Sequence, residues 1–412
     1  MVEERVGAPG APGASVPEPV VLAHVSADGG VPRPTGIAEL DRALSGGLVR
    51  ASVTLVSGEP GIGKSTLLLQ VAAARAIGGE RVLLVSAEES AEQIRRRADR
   101  VGAPVEGLAL CTTTSLAGAL EAAARYRPDL LVVDSVQTLS DPDLGASGGV
   151  GQVRACAERF VGLAKASDIT TLLVGHVTKD GALAGPRVLE HLVDTVCSFE
   201  GDRHHALRVL AVHKHRFGST GELGVFAMGE GGLQSVADAS AYMLTDRRPG
   251  APGSVVTPVL EGRRPLLVEI QALVARSALA TPRRAAQGVV PGRLALLLAV
   301  LERRVGCSLA TMDVFASAVG GVRVHEPASD LALGLALASA ALDLAVPEDL
   351  VACGEIGLGG EVRLVAHLER RPAEAARRGF RRAPVPSAAP EPPPGMTALR
   401  VGDLAEAVRA LR

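Results

Sequence analysis

The fold of this chain is decided by the stretch Gly58-Glu59-Pro60-Gly61-Ile62-Gly63-Lys64-Ser65-Thr66. It meets the phosphate-binding pattern G-x-x-x-x-G-K-[ST], and all nine residues are predicted to contact a bound nucleotide. The apolar run 53–56 precedes it and a helical pattern, 67–75, follows it, so the loop joins a buried strand to a helix. Glycines let successive backbone N–H groups turn toward phosphate oxygens, and the helix N-terminus adds a favourable dipole. The sequence therefore predicts a nucleoside triphosphate site.

An apolar run that ends in an acid, 130–134, supplies the second half of this predicted site. Parallel strands place such an acid at the carboxyl edge of the sheet, so Asp134 should lie opposite Lys64 and Ser65. We expect Lys64 to reach the β- and γ-phosphates of ATP, and Ser65 and Asp134 to hold Mg²⁺. An acid at a strand end is, by itself, equally typical of a turn or a helix cap.

A group that activates water is predicted after the next apolar run, 82–86, where Glu88, Glu89 and Ser90 follow. Either carboxylate could polarise a water molecule beside the γ-phosphate, and we place Glu88 ahead of Glu89. The alternative is a helix N-terminus stabilised by acidic residues, which this tripeptide also suits.

Composition limits the classes of protein that the chain can represent. Its 412 residues suffice for two domains, and with 47% apolar but only 2% aromatic residues the cores must be aliphatic. A net charge of −2 carries no global signature of nucleic-acid binding. The five cysteines have no C-x-x-C spacing, which predicts a reducing compartment and no zinc site. We find no secretory leader, and the apolar run 331–346 is too short to cross a bilayer, so we predict a cytoplasmic protein without membrane contact.

Strands and helices alternate between residues 34 and 236, which predicts an α/β fold with a mostly parallel sheet. We expect strands at 53–56, 82–86, 130–134, 171–175, 195–199 and 207–213, and helices at 65–77, 91–101, 115–126 and 152–166. The predicted divisions of the chain are a flexible arm at 1–33, this α/β domain at 34–236, a linker at 237–254, a second domain at 255–390 and a C-terminal tail helix at 391–412.

Several further motifs lie outside the loop, at 36–42 (GIAELDR), 86–90 (SAEES), 133–138 (VDSVQT), 175–181 (GHVTKDG), 184–194 (AGPRVLEHLVD) and 214–218 (KHRFG). Together they resemble the RadA (Sms) family of bacterial DNA repair ATPases. The resemblance covers about 34–390, and the run 175–226 is its most specific part. It implies a RecA-like P-loop core followed by an α+β domain like the protease domain of Lon.

Membership of this family implies a particular activity and particular partners. The expected protein is a homo-hexameric ring that hydrolyses ATP, moves on single-stranded DNA and promotes branch migration of recombination intermediates. The RecA recombinase is an expected partner, and a replicative helicase is a further candidate. By similarity to the RecA core, Glu88 would activate water and His176 would sense the γ-phosphate.

The basic motif at 214–218 is expected to act on the nucleotide of a neighbouring subunit. By the resemblance, Lys214 and Arg216 would supply positive charge in trans, as an arginine finger does. His215 departs from the asparagine that the family has there, but it leaves both cations in place. The alternative is an ordinary basic strand end with Phe217 packed in the core.

DNA contacts are expected at a few cations rather than over a broad basic surface. Two loops of the core, 141–151 and 178–187, are candidates, and the second carries Lys179 and Arg187. In the second domain, Arg283, Arg284 and the arginines of 370–382 are candidates, although a solvated surface would explain them equally well.

The Lon-like segment lacks the residues that a Ser–Lys peptidase needs. Its motif 326–330 places Ala328 at the nucleophile, with Ser329 beside it, and Arg371 stands at the lysine position. A guanidinium does not lose its proton near neutral pH, so we predict no peptidase activity.

The family usually begins with a four-cysteine zinc module, and this sequence contains no such set of cysteines. Residues 2–4 resemble the segment that often follows the module, so we hypothesise that residue 1 lies inside a longer reading frame, which the intact mass of the native protein would test. Two other classes of protein stay open. One is an ATP-gated scaffold that binds DNA or a helicase without translocating, and the other is a KaiC-like P-loop ATPase with no role on DNA.

Overall fold

A sheet built around the phosphate-binding loop forms the first part of the chain. The computed structural model describes residues 21, 24, 30–144, 149–176, 186–201 and 207–411. The elements of the first part are, in order, α1 (Ala38–Ala43), β1 (Val53–Gly58), α2 (Lys64–Ile77), β2 (Val82–Ser86), α3 (Ala91–Arg100), β3 (Leu108–Thr112), α4 (Leu116–Tyr126), β4 (Leu130–Asp134), α5 (Val150–Ser167), β5 (Thr170–His176), α6 (Pro186–Leu189), β6 (Thr195–Glu200), β7 (Leu207–His215), β8 (Leu223–Gly229) and β9 (Gly232–Ser235).

Over these residues the sheet has nine strands in the order β3-β2-β4-β5-β1-β6-β7-β8-β9. The six strands from β3 to β6 are parallel, and β7, β8 and β9 extend the sheet by antiparallel pairing. Strands β1, β2 and β4 are buried along their whole length, as expected for parallel strands covered by helices on both faces. The predicted α/β class with a mostly parallel sheet is therefore confirmed.

The helices divide the apolar residues of this part between the two faces of the sheet. Helix α2 packs in one core cluster, with Leu67 and Val71 fully buried. Helices α4 and α5 pack in the other, where Phe160 is fully buried. The six predicted strands and four predicted helices are all present within a few residues of their expected bounds.

Strands β3, β8 and β9 were not predicted from the sequence. Strand β3 is a half-exposed edge strand, so its apolar pattern is weak. Strand β8 begins Leu-Gly and ends Met-Gly, and β9 is only four residues long. Glycine weakens strand propensity, and these two strands form because β8 pairs antiparallel with β7 and β9 pairs antiparallel with β8.

The second part contains a four-stranded sheet, two short two-stranded sheets and helices around a shared core. Its elements are α7 (Ala239–Met243), β10 (Ser254–Glu261), β11 (Arg264–Arg276), β12 (Arg284–Gln287), α8 (Pro291–Val300), β13 (Met312–Ala318), α9 (Asp330–Leu342), β14 (Glu355–Ile356), β15 (Val362–Arg363), α10 (Arg370–Arg377), β16 (Arg382–Pro386), β17 (Thr397–Val401) and α11 (Leu404–Arg409). In the larger sheet the order is β10-β11-β13-β12. Helix α9 lies in the core, with ten consecutive residues buried from Asp330 to Ser339.

Two segments expected to lie outside the domains are packed against the second core. Helix α7 falls within the expected linker 237–254, and its Ala239 and Met243 are buried in that core. In the expected tail, Leu404 and Val408 of α11 are buried in the same core, which contains the residues of α9. Strands β16 and β17, which precede it, pair in parallel. Within the described residues, no helix is long and apolar enough to cross a membrane.

Candidate nucleotide site

The phosphate-binding loop lies at the carboxyl end of β1, between β5 and β6. Gly58 is paired with His176 on one side and Phe199 on the other. A Cβ at Gly58 would lie 2.4 Å from the carbonyl oxygen of Phe199. Gly63 has φ +115°, and a Cβ there would lie 2.6 Å from Cε of Met228. Close packing and left-handed backbone therefore both require glycine in this loop.

Lys64 is buried inside the loop, with 3% of its surface exposed. Its Nζ donates to the carbonyl oxygens of Gly58 at 2.8 Å and Glu59 at 2.9 Å, and it lies 3.3 Å from Nδ1 of His176. Burial lowers the pKa of Lys64, and the nearby carboxylates of Asp134 and Glu88 oppose that effect. The ammonium is thus held inside the loop by neutral acceptors, which a phosphate oxygen can replace.

Glu88 is held beside this lysine by two side-chain donors. Oε1 lies 3.0 Å from Nε2 of His176 and also accepts the hydroxyl of Ser135. Because an ammonium can only donate, Nδ1 of His176 accepts from Lys64 and Nε2 carries the proton that bonds to Glu88. The bond from His176 is the main cause that lowers the pKa of Glu88, and Ser135 adds to it against the effect of burial. A carboxylate held ionised in this way can accept a proton from water.

Asp134 and Ser65 meet at the position where a divalent cation would be held. The Ser65 hydroxyl hydrogen-bonds to the carboxylate of Asp134, and burial raises the pKa of Asp134 despite that bond. Among the described residues, Oδ1 of Asp134 is buried and has no hydrogen-bond partner. A hydroxyl and a buried carboxylate oxygen with spare capacity are oxygen ligands of the kind that Mg²⁺ takes. These residues therefore fit Mg²⁺ bound with a nucleotide.

Glu89 and Ser90 have a different environment from Glu88. Glu89 forms an ion pair with Arg97 of α3, and Ser90 caps that helix in a capping box with Gln93. The helix-capping interpretation therefore accounts for Glu89 and Ser90. It does not account for Glu88, which faces Lys64 and His176 instead.

The basic motif lies at the opposite end of the sheet from the loop. Strand β7 runs antiparallel to β6, with Lys214 paired to Val196, and the backbone N–H of Arg216 donates to the carbonyl of Asp194 at 3.1 Å. Asp194 is bonded to Val53, the first residue of β1, whereas the loop follows the last residue. At about 3.3 Å per residue, the length of β1 separates the motif from the loop of the same subunit by about 16 Å.

The environment of His215 and Phe217 bears on the alternative interpretation of this motif. Phe217 is 36% exposed and so is not a core residue. His215 accepts the Thr195 hydroxyl at 2.9 Å and donates to the carbonyl of Leu44 at 3.2 Å, and burial lowers its pKa. His215 is therefore a neutral imidazole that hydrogen-bonds β7 to β6 and to the end of α1. It does not displace Lys214 or Arg216, the two cations of the motif.

Several of the candidate DNA-binding residues that the structure describes are paired within the chain. Lys179 lies outside the described residues, and only the backbone of Arg187 is described, in α6. Arg283 is exposed, but Arg284 donates to the carbonyls of Met312 and Leu309. In the stretch 370–382, ion pairs join Arg371 to Glu326, Arg377 to Glu374, Arg378 to Asp238 and Arg382 to Asp349. Much of the predicted basic surface is therefore neutralised within the chain.

The position expected for a peptidase lysine holds a structural arginine. Arg371 is 2% exposed and pairs with both oxygens of Glu326, at 2.7 and 2.6 Å. It also donates to the carbonyls of Pro258 and Ala366. Ala328 is buried, and the hydroxyl of Ser329 donates to the carbonyl of Glu326. Each of the three side chains is thus buried or held by hydrogen bonds. The alternative of a solvated surface for the arginines of 370–382 is wrong at Arg371.

Two residues of these sites were not singled out by sequence reasoning. Ser135 follows the predicted metal-binding acid directly, and that adjacency was the available signal. Asp194 ends the motif 184–194, but an acid before a strand is a common feature, and only the structure brings it to Lys165 and Arg216.

The fold and the site define the class of protein, a P-loop ATPase with a RecA-like core followed by a further domain. The model of a family described as an AAA domain matches residues 17–182. DNA repair protein RadA of Mycobacterium tuberculosis strain H37Rv is 47% identical over 393 residues, which cover 95% of this chain and 82% of that protein. The RadA proteins of Bacillus subtilis and Pseudomonas aeruginosa are 45% and 49% identical, over 91% and 95% of this chain and 83% and 86% of their own lengths. The chain belongs to the RadA family.

Proposed function

We propose that this protein is a DNA-dependent ATPase of recombinational DNA repair, which moves on single-stranded DNA and promotes branch migration. The observation that carries the proposal is the cluster of Lys64, Glu88, His176 and Asp134 at one end of the sheet, with a basic motif at the other. Relatives named DNA repair protein RadA, one of which is 49% identical, supply the biological context.

Each group of the nucleotide site has a proposed role. Backbone N–H groups of 58–66 and Lys64 bind the phosphates, and Ser65 and Asp134 hold Mg²⁺, which neutralises phosphate charge when bound. Glu88 takes a proton from the attacking water, and Ser135 and His176 orient its carboxylate. Because His176 contacts both Lys64 and Glu88, displacement of the Lys64 ammonium toward phosphate would alter its bond to Glu88. That coupling supports the proposed role of His176 as a sensor.

The basic motif is proposed to act between subunits of a homo-hexameric ring. A separation of about 16 Å along β1 keeps Lys214 and Arg216 away from the loop of their own subunit. A head-to-tail ring would bring that end of one sheet against the nucleotide of the next subunit. The two cations would then stabilise charge that develops on the transferred phosphoryl group.

The loops 141–151 and 178–187, which come after β4 and β5 in the sequence, are proposed to contact DNA. Lys179 and Arg187 are the proposed cations there, with Arg283 as a further candidate. The other proposed partners are branched recombination intermediates, the RecA recombinase and a replicative helicase, and the proposed compartment is the cytoplasm. We further propose two domains, 34–236 and 255–390, with α7 and α11 packed on the second. The second domain is proposed to assemble the ring and to have no peptidase activity.

The rate of ATP hydrolysis with and without single-stranded DNA tests this function. We expect a several-fold rise with DNA that is absent in Lys64→Ala, because that change removes a phosphate-binding cation. A rate indifferent to DNA would favour the KaiC-like alternative. Stimulation without ATP-dependent strand displacement would favour the scaffold that binds DNA but does not translocate.

A further inference from the structure

Asp194 is a buried carboxylate that the nucleotide site does not use. It lies just before β6, with 2% of its surface exposed. Its amide donates to the carbonyl of Val53 at 2.9 Å, and its Oδ2 accepts the amide of Val53, also at 2.9 Å. The carboxylate is therefore hydrogen-bonded to the first residue of β1, which is the middle strand of the sheet. These bonds to β1 fix its position.

Two cations from different elements meet on this carboxylate. Nζ of Lys165, near the end of α5, lies 2.9 Å from Oδ2, and Nη1 of Arg216 lies 3.0 Å from Oδ1. The side chains of Lys165 and Arg216 are 48% and 54% exposed, whereas that of Asp194 is 3% exposed. Because Lys165 alone balances the single negative charge of Asp194, the positive charge of Arg216 is left over for another anion.

The same short stretch of chain also holds the other cation of the basic motif. Nζ of Lys214 donates to the carbonyls of Glu190 at 2.6 Å and Val193 at 2.9 Å. The amide of Arg216 donates to the carbonyl of Asp194 at 3.1 Å. Residues 190–194 thus orient both the backbone and the side chains of the motif.

The hydrogen bond described for the Arg216 side chain uses Nη1 and leaves most of its five N–H donors for a further ligand. We propose that Asp194 is the positioning residue that holds Arg216, half-exposed and charged, for the nucleotide of a neighbouring copy of this chain. Lys165 supports it by neutralising Asp194. This inference rests on the trans role given to Arg216 in the proposed function.

Mixed oligomers separate an effect in trans from damage to a subunit's own site. Asp194→Asn keeps the size of the side chain and an oxygen for the amide of Val53 but removes its charge. We expect kcat for ATP hydrolysis to fall about 100-fold, because a misplaced catalytic group such as Arg216 can cost that much. Nucleotide affinity should be unchanged. Subunits of Lys64→Ala lack hydrolysis but keep Asp194 and Arg216. Mixing them with Asp194→Asn should therefore restore hydrolysis.

The positive control is a mixture of Arg216→Ala with Lys64→Ala, in which hydrolysis should be restored. The negative control is a mixture of Arg216→Ala with Asp194→Asn, which should stay inactive. Restoration of Arg216→Ala but not of Asp194→Asn would overturn the role of Asp194 alone. Arg216→Ala at the wild-type rate would overturn the trans role itself and this inference with it. The two failures are therefore distinguishable.

Two further variants keep the inference testable if Asp194→Asn folds poorly. Lys165→Met retains the bonds from Asp194 to Val53 and Arg216, and it should lower kcat several-fold without changing nucleotide affinity, because Arg216 must then neutralise Asp194 by itself. An unchanged kcat would contradict the charge argument. The double variant Asp194→Asn/Arg216→Ala should be no slower than Arg216→Ala, and an additional loss would show that Asp194 acts independently of Arg216.

Discussion

Arg371→Met should lower the free energy of unfolding of the second domain by several kcal/mol. The guanidinium is 2% exposed, pairs with both oxygens of Glu326 and donates to the carbonyls of Pro258 and Ala366. Removal of one partner of a buried ion pair costs about 3–5 kcal/mol, since the other charge stays behind. Glu326 is 24% exposed and keeps the amide of Leu260 at 2.8 Å, so we expect the lower end, about 3 kcal/mol.

Thermal unfolding followed by calorimetry is the assay for this prediction. At about 2–4 °C per kcal/mol for a domain of this size, the transition of the second domain should fall by about 6–12 °C. Arg370→Met, at the exposed neighbouring position, is the matched control and should leave the transition near its original temperature.

The double variant Glu326→Gln/Arg371→Met should lose less stability than the sum of the two single variants, because both remove the same interaction. Equal transitions for Arg371→Met and Arg370→Met, or strictly additive losses, would refute the reasoning. The expected result would mean that the position of a peptidase lysine has a structural role in this chain.

Three further predictions concern the nucleotide site. Glu88→Gln should bind ATP but hydrolyse it at least about 100-fold more slowly. Glu89→Gln should keep most of the activity, because Glu89 pairs with Arg97. Equal losses of steady-state kcat in the two variants would contradict this prediction. His176→Ala should move the acidic limb of the kcat–pH profile to higher pH. The hydrogen bond from His176 is the main cause that lowers the pKa of Glu88. Without that bond, Glu88 is protonated at a pH where the wild-type protein is active. Ser135→Ala should shift the same limb in the same direction but less, and an unmoved limb in both variants would argue against Glu88 as the base.

Local patterns in the sequence were sufficient for the loop, β1, β2 and β4. Buried parallel strands are continuous apolar runs, and the glycines and lysine of the loop have a fixed spacing, so both are visible in neighbouring residues. Strands β8 and β9 carry no comparable signal, because pairing with β7 and with each other holds them in place. The tail helix α11 was predicted as a helix, but its packing was not, since its apolar residues contact α9, which lies far away in the sequence.

The sequence by itself predicted a nucleoside triphosphate site at Lys64 and Ser65, since the spacing of the motif corresponds to a known backbone geometry. It also indicated two acids after β2 and placed Glu88 ahead of Glu89. Only the tertiary structure shows their different surroundings, with His176 and Ser135 beside Glu88 and Arg97 beside Glu89. Likewise, only folding brings Asp194 to Lys165 and Arg216, because these charges come from three different elements. Electrostatic partnership depends on distance in space, and the order of residues along the chain does not contain that distance.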